Sequence, residues 1–589
     1  MANKNILLIM DGIARPPVPV ENNSSLESDL CPICLTHFHG RDVAPVVVRA
    51  HCCGKHFDLD CISKSFVQQL IGSRRCAMCR QDPMPVLNLG TGESHPDQFF
   101  PNQAFFDACI NGDFARVNHS LAEGVNVNAA LADDFTALIL ASGQGHRDIV
   151  ERLINAGANL NAARENGATA LLIAAQQNKA DCVKLLIRAK ANLNAQTVGG
   201  ATPLFMAAQQ NSTDCVKLLI EAGADLNAAC SNGVTPLAIA AATGNSDCVE
   251  LLIEAEADLN ARAEDGSTPL IMAAQENNID CMKLLIRAKA DINAQIGDGV
   301  IALLVAALEN NSHYLKILIE ARANINARTK NGVTALFMAA QQNSTDCLKI
   351  LIAARADLNA ATSDGATPLC IAAAKGNTDC VKVLIEAEAN LNAQTTGGAT
   401  PVFMAAQENK TDCVNALIEA EADLNARTAD GATALFMAAG KGNTECVKAL
   451  IKAGADVNAA RTSDGSTPLL IAAQQNNIDI LQALIETKAD PNARATNGIT
   501  PLLMAVALVN IDCMKILIEA KADINAALSD GATSLLVAVA KGNIEFVKLL
   551  ISAGADLNAA LSNGATALSI ATRMGHTDCV KVLTEAGAR

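Results

Sequence analysis

Apolar residues recur along most of this chain at helical spacing. The stretch "NGATALLIAAQQNKADCVKLLIRAKANLNAQ" (166–196) shows it twice. "ALLIAAQ" gathers Leu, Ile and Ala into a short helix with small Ala on one face. "ADCVKLLIRA" spaces its apolar residues three and four apart, so each segment predicts one amphipathic helix. Thr169 stands just before the first helix, where a hydroxyl accepts from an orphan backbone N–H. The next position is Ala or Pro, and Pro suits a first turn that needs no N–H. Between helix pairs the chain carries Asn, Asp and Gly and predicts a turn. The pattern returns as "GGATPLFMAAQQNSTDCVKLLIEAGADLNAA" (199–229). Turn glycines fall at 167, 200, 233, 266, 299, 332, 365, 398 and 431 and, after one extra residue near Arg461, at 465, 498, 531 and 564. Asp134 holds the glycine slot one period earlier, and residues 101–131 keep the period. About fifteen units of 33 residues result, the first and last atypical. One such helix pair cannot bury its own apolar face, so the units stack and each depends on its neighbours.

Composition fits this reading. Half of the 589 residues are apolar, yet Trp is absent and Tyr occurs once, so Ala, Leu and Ile supply the core of a mainly α protein. No apolar run is long enough to cross a membrane, and the one in "MANKNILLIMDG" is too short for a secretory leader. A cytoplasmic protein with no membrane insertion is expected. The net charge is −16, spread thinly over the repeats while the first hundred residues nearly balance. With no basic stripe, nucleic acid is not an expected partner. No Gly-rich phosphate loop, His-Glu-x-x-His or nucleophile–base set is present, which excludes a self-contained kinase or hydrolase of those kinds.

The repeats resemble ankyrin repeats over about residues 101–589. That resemblance implies an α-solenoid that binds proteins through its turn tips and the exposed side of each first helix. Carried onto this chain, it points to Gln176, Gln177, Gln209, Gln210, Gln341, Gln342, Gln474 and Gln475. In the unit at 498–530 an apolar pair, Leu508 and Val509, replaces the usual polar residues and marks a candidate contact. Two departures stand out. The His that the family places after Thr-Pro-Leu is replaced by residues such as Leu172, Phe205 and Phe403. The left-handed Gly ending the second helix survives at Gly157, Gly223, Gly454 and Gly554, whereas Lys190, Glu256, Lys289, Arg322, Arg355, Glu388, Glu421, Lys488 and Lys521 occupy it elsewhere. Each such residue costs about 1 kcal/mol. Ten cysteines, from Cys182 to Cys579, share one helical slot that Ile149, Tyr314, Ile480 and Phe546 fill in other units. A slot that accepts Ile and Phe is a packing slot, and its thiols read as buried small hydrophobes.

The head is different. Cys31-Pro-Ile-Cys34 and Cys76-Ala-Met-Cys79, with Cys53 and Cys61 between them, form a zinc pattern, since two thiolates in one tight turn reach the same metal. So small a segment needs the metal to fold. Residues 28–85 resemble a RING finger, after an N-terminal tail (1–27) and before a short linker (86–100). The resemblance implies a small cross-brace domain with two zinc ions. Cys31, Cys34, Asp58 and Cys61 would hold one, and Cys53, His56, Cys76 and Cys79 the other, with Lys55 standing where the family has a His. It also implies contact with a ubiquitin-conjugating enzyme through Ile33 and Ile62, with Arg80 bridging that enzyme and ubiquitin. The expected function is a RING-type ubiquitin ligase with no covalent nucleophile, whose solenoid presents a protein substrate. The alternative is a non-enzymatic scaffold with a structural zinc head, including a pathogen effector acting in the host cytosol.

Overall fold

A computed structural model describes residues 47–50, 56–58, 84, 86–88, 94–95 and 102–589. Residues up to Ala240 together with Glu250–Ala257 form one compact unit, and Ala241–Val249 with Asp258–Arg589 form another. Among the described residues there are thirty α-helices in fifteen pairs, running from Gln103–Asn111 to Thr577–Glu585. The chain is a mainly helical repeat solenoid, as its periodicity implies.

One pair shows why this sequence folds this way. The first helix spans Pro368–Lys375 and the second Thr378–Glu386. Thr367 opens the first, its Oγ1 accepting from the Cys370 N–H at 3.3 Å, and Pro368 fills the first turn. The same hydroxyl cap recurs at the other first helices from Thr136 to Thr566, except where Ile301 stands and supplies no side-chain cap. Leu369, Ala372, Ala373, Cys380, Val381 and Leu384 are all fully buried. Within each compact unit, the first helices of successive repeats pack on one another, and so do the second helices. The paired alanines let the first helices approach closely. Deleting a core side chain such as that of Leu384 costs about 2–5 kcal/mol.

The second helix ends where the sequence places the left-handed residue. Glu388 has φ +63° and donates its N–H to Ile385 O at 2.9 Å, while Ala389 N–H reaches Leu384 O at 3.0 Å. This is a Schellman ending, closed here without glycine. All nine charged residues in that slot have φ between +61° and +67°.

Two long-range ladders join successive repeats. At the turn tips the backbone of one repeat bonds to the next, as in Thr396 N–H to Asp364 O at 2.8 Å. Behind the tips runs a zigzag of Asn and Asp side chains. Asn359 Oδ1 accepts from Asn390 N–H at 2.8 Å, Asn390 Oδ1 from Asn392 N–H at 3.0 Å, and Asn392 Oδ1 from Asp423 N–H at 2.9 Å. The extra residue near Arg461 is absorbed at a tip. Arg461 pairs with Asp464, stands 3.7 Å from Asp430 and lies over the Phe436 ring at 5.0 Å. The Arg461 hydrogen bond holds the Asp464 carboxyl below the usual carboxylate range.

In the head, strands β1 (Val47–Ala50), β2 (His56–Asp58), β3 (Val86–Asn88) and β4 (Ser94–His95) make an antiparallel sheet in the order β2-β1-β3-β4. Residues 86–100, read from sequence as a linker of turn formers, therefore contribute two strands. β3 pairs with β1, Arg49 opposite Leu87, and ties this segment to the head. The reason is local: "PVLNL" offers Val and Leu to a neighbouring strand edge, a short-range pattern that Gly90 and Gly92 obscure.

Candidate functional site

Most first helices turn Pro or Ala, Leu, a larger apolar residue and two small residues inward. The fourth residue after the capping Thr lies at the edge of that face. In most repeats it is half-buried and apolar: Ile173 and Met206 in the first compact unit, and Met272, Met338, Ile371, Met404, Met437, Ile471 and Met504 in the second. Three and four residues further on, one helical turn away on the same side, come the predicted glutamines. Gln176, Gln209 and Gln341 are half-buried, while Gln177, Gln210, Gln342, Gln474 and Gln475 are exposed. The outward side is thus a row of Ile and Met bordered by amides. Sequence reading found the amides and missed the row. Its signal is present in "LFMAAQ", where the Met three residues before Gln sits between Phe205, 7% exposed, and the fully buried Ala207. Met suits a recognition surface because its side chain is flexible and polarizable.

The row varies between repeats. Where six units carry Gln seven residues after the cap position, the unit capped by Thr367 carries Ala374, followed by Lys375 and Gly376. A depression of about 440 Å³ lies beside it, lined by Ile371, Ala374, Lys375, Met404, Gln407, Glu408 and Lys410. Gly376 lets the Lys410 stem cross it: a Cβ there would stand 2.8 Å from Lys410 Cδ. Lys375, Glu408 and Lys441 occupy the same slot in three successive units and are exposed.

The Leu508–Val509 pair is exposed as expected, at 47% and 48%. Val509 also has φ +63°, in a slot that other units fill with Asn or Gly. A β-branched residue there is strained.

The shared cysteine slot is a core slot. Cys182, Cys215, Cys347 and Cys380 are fully buried, as are Tyr314 and Ile480 in their place. Burial pushes the thiols of Cys215 and Cys248 up to about 12 and that of Cys182 to about 11, so no thiolate is available at neutral pH.

Of the expected zinc ligands, His56 and Asp58 fall at the two ends of β2. Cys31, Cys34, Cys53, Cys61, Cys76 and Cys79 lie outside the described residues, as do Ile33, Ile62 and Arg80. Among the described residues no helix is long and apolar enough to cross a membrane.

Comparison with protein families matches two descriptions. "Ankyrin repeats (3 copies)" matches in overlapping stretches from 105–197 and 189–263 through 270–362 to 502–589, and "Ankyrin repeats (many copies)" matches 247–286. These stretches begin at residue 105, so they lend the zinc reading of 28–85 no support. Comparison with curated proteins returns no significant match.

Proposed function

Because the chain belongs to the ankyrin-repeat family, we propose that residues 101–589 hold a protein partner on the outward side of their first helices, while the Cys-rich head brings a ubiquitin-conjugating enzyme to it. The observation that carries the binding half is the half-buried Ile and Met row bordered by exposed amides, repeated from unit to unit on a scaffold stiffened by the Asn ladder. With no Trp and one buried Tyr, the surface lacks the anchors that usually concentrate binding energy. Affinity accumulates over many modest contacts.

The ligase half rests on the head's sequence. In this reading zinc, held by Cys31, Cys34, Cys53, His56, Asp58, Cys61, Cys76 and Cys79, fixes the fold of the segment. Ile33 and Ile62 dock the conjugating enzyme, and Arg80 restrains its ubiquitin in a reactive pose, which is catalysis by orientation. Lys55, standing where the related fingers have a His, favours the second reading, a non-enzymatic scaffold with a structural zinc head.

Incubation with ubiquitin, activating enzyme and a panel of conjugating enzymes separates the two. The ligase reading expects chains that Ile33→Ala and Arg80→Ala abolish, and two zinc ions per chain by atomic emission. No chains with any conjugating enzyme leaves the scaffold reading.

A further inference from the structure

On a chain of net charge −16, two exposed lysines, Lys375 and Lys441, stand two units apart on the recognition side. Lys375 and Lys441 make no ion pair among the described residues, so neither cation is consumed by the fold. Lys375, Lys410, Gln407 and Glu408 rim the depression over Ile371, Ala374 and Met404, and Lys441 lies one unit beyond Met404. Between the free cations stands Glu408, held by the Gln407 amide at 3.0 Å.

We propose that this segment binds an extended stretch of a partner protein that carries an apolar anchor flanked by acidic residues. The anchor seats on Ile371, Ala374 and Met404. One carboxylate faces Lys375 and Lys410, and a second faces Lys441. Neighbouring helices pack 8–10 Å apart and an extended chain rises ~3.3 Å per residue, so about three partner residues pass each unit. The second carboxylate therefore falls roughly three to five residues from the anchor, and Glu408 excludes an acid from the position between. This inference rests on the protein-binding reading and adds the partner's chemistry.

The test uses fluorescein-labelled peptides of about ten residues, long enough to cross three units. They share a central Leu and carry Glu, Ala or Lys around it, and fluorescence anisotropy reports their binding to the full chain. The Glu peptide is expected to bind at least about tenfold tighter than the Lys peptide. Lys375→Glu should weaken it about tenfold and Glu408→Lys should strengthen it, consistent with like-charge penalties at such contacts. Lys541→Glu, in the same slot outside the depression, should leave it unchanged. Binding that ignores Lys375, or that favours the Lys peptide, overturns this inference and leaves the protein-binding reading standing. If no peptide binds, the inference falls as well, and Met404→Asp then failing to alter capture of any cellular protein would count against both.

Discussion

Each unit contains two left-handed positions with similar backbone angles and opposite tolerance. At the turn tip, φ is +82° at Gly365, and every unit from 167 to 564 keeps glycine. At the end of the second helix, φ is +87° at Gly454, yet nine units place Lys, Glu or Arg there. At Gly365 the difference lies in the neighbour, whereas the tips at Gly266, Gly498 and Gly564 have no such close approach. A Cβ on Gly365 would stand 2.8 Å from Thr396 N and 2.9 Å from Thr395 Cα, backbone that the tip ladder fixes. A Cβ on Gly454 would meet nothing within 4 Å. Backbone angle alone costs about 1 kcal/mol, which a long array absorbs; at Gly365 the close approach adds to it.

The largest expected break is Gly365→Ala. It combines left-handed strain with displacement of the Thr396–Asp364 hydrogen bond and should cost roughly 3 kcal/mol. Urea unfolding followed by far-UV circular dichroism measures it; a loss no greater than that of Gly454→Ala would show that the close approach is unimportant. Val509→Asn comes next. Relieving a β-branched residue at positive φ should gain about 1–2 kcal/mol, and an unchanged midpoint would mean that no strain is held there. Glu388→Gly should gain about 1 kcal/mol and Gly454→Glu should lose about the same, because both act through angle alone. The smallest effect at neutral pH concerns the thiols. Burial raises their folded values to about 11–12 while the unfolded value is 9.0, so their contribution is complete below about pH 9 and falls as pH rises toward 11–12. Iodoacetamide at pH 8 should leave Cys182 and Cys215 unmodified until the chain unfolds.

The same contrast explains what could be read in advance. Helix pairs, Thr caps, left-handed helix ends and the buried cysteine slot depend on residues within a few positions of one another, and the repeated sequence displays them. The Asn ladder links residues 31 apart: Asn359 and Asn390 look like ordinary turn formers until the fold brings them together. The Ile and Met row was hidden for another reason. Met404 and the buried Phe403 are neighbours of similar hydropathy, and only the packing of the next helix decides which one faces outward. In the head, cysteine spacing points to zinc, whereas the β1–β3 pairing depends on residues almost forty positions apart and left no mark on the local pattern.

The central claim is that the outward row of the first helices, rather than the second helices, carries the partner. A photo-crosslinking amino acid placed at Met404, and in a second variant at the exposed Lys382 on a second helix, tests this directly in cells expressing the full chain. The account predicts a discrete crosslinked protein from position 404 that Lys375→Glu diminishes, and none from position 382. Equal crosslinking from both positions, or crosslinking from 382 alone, would contradict it.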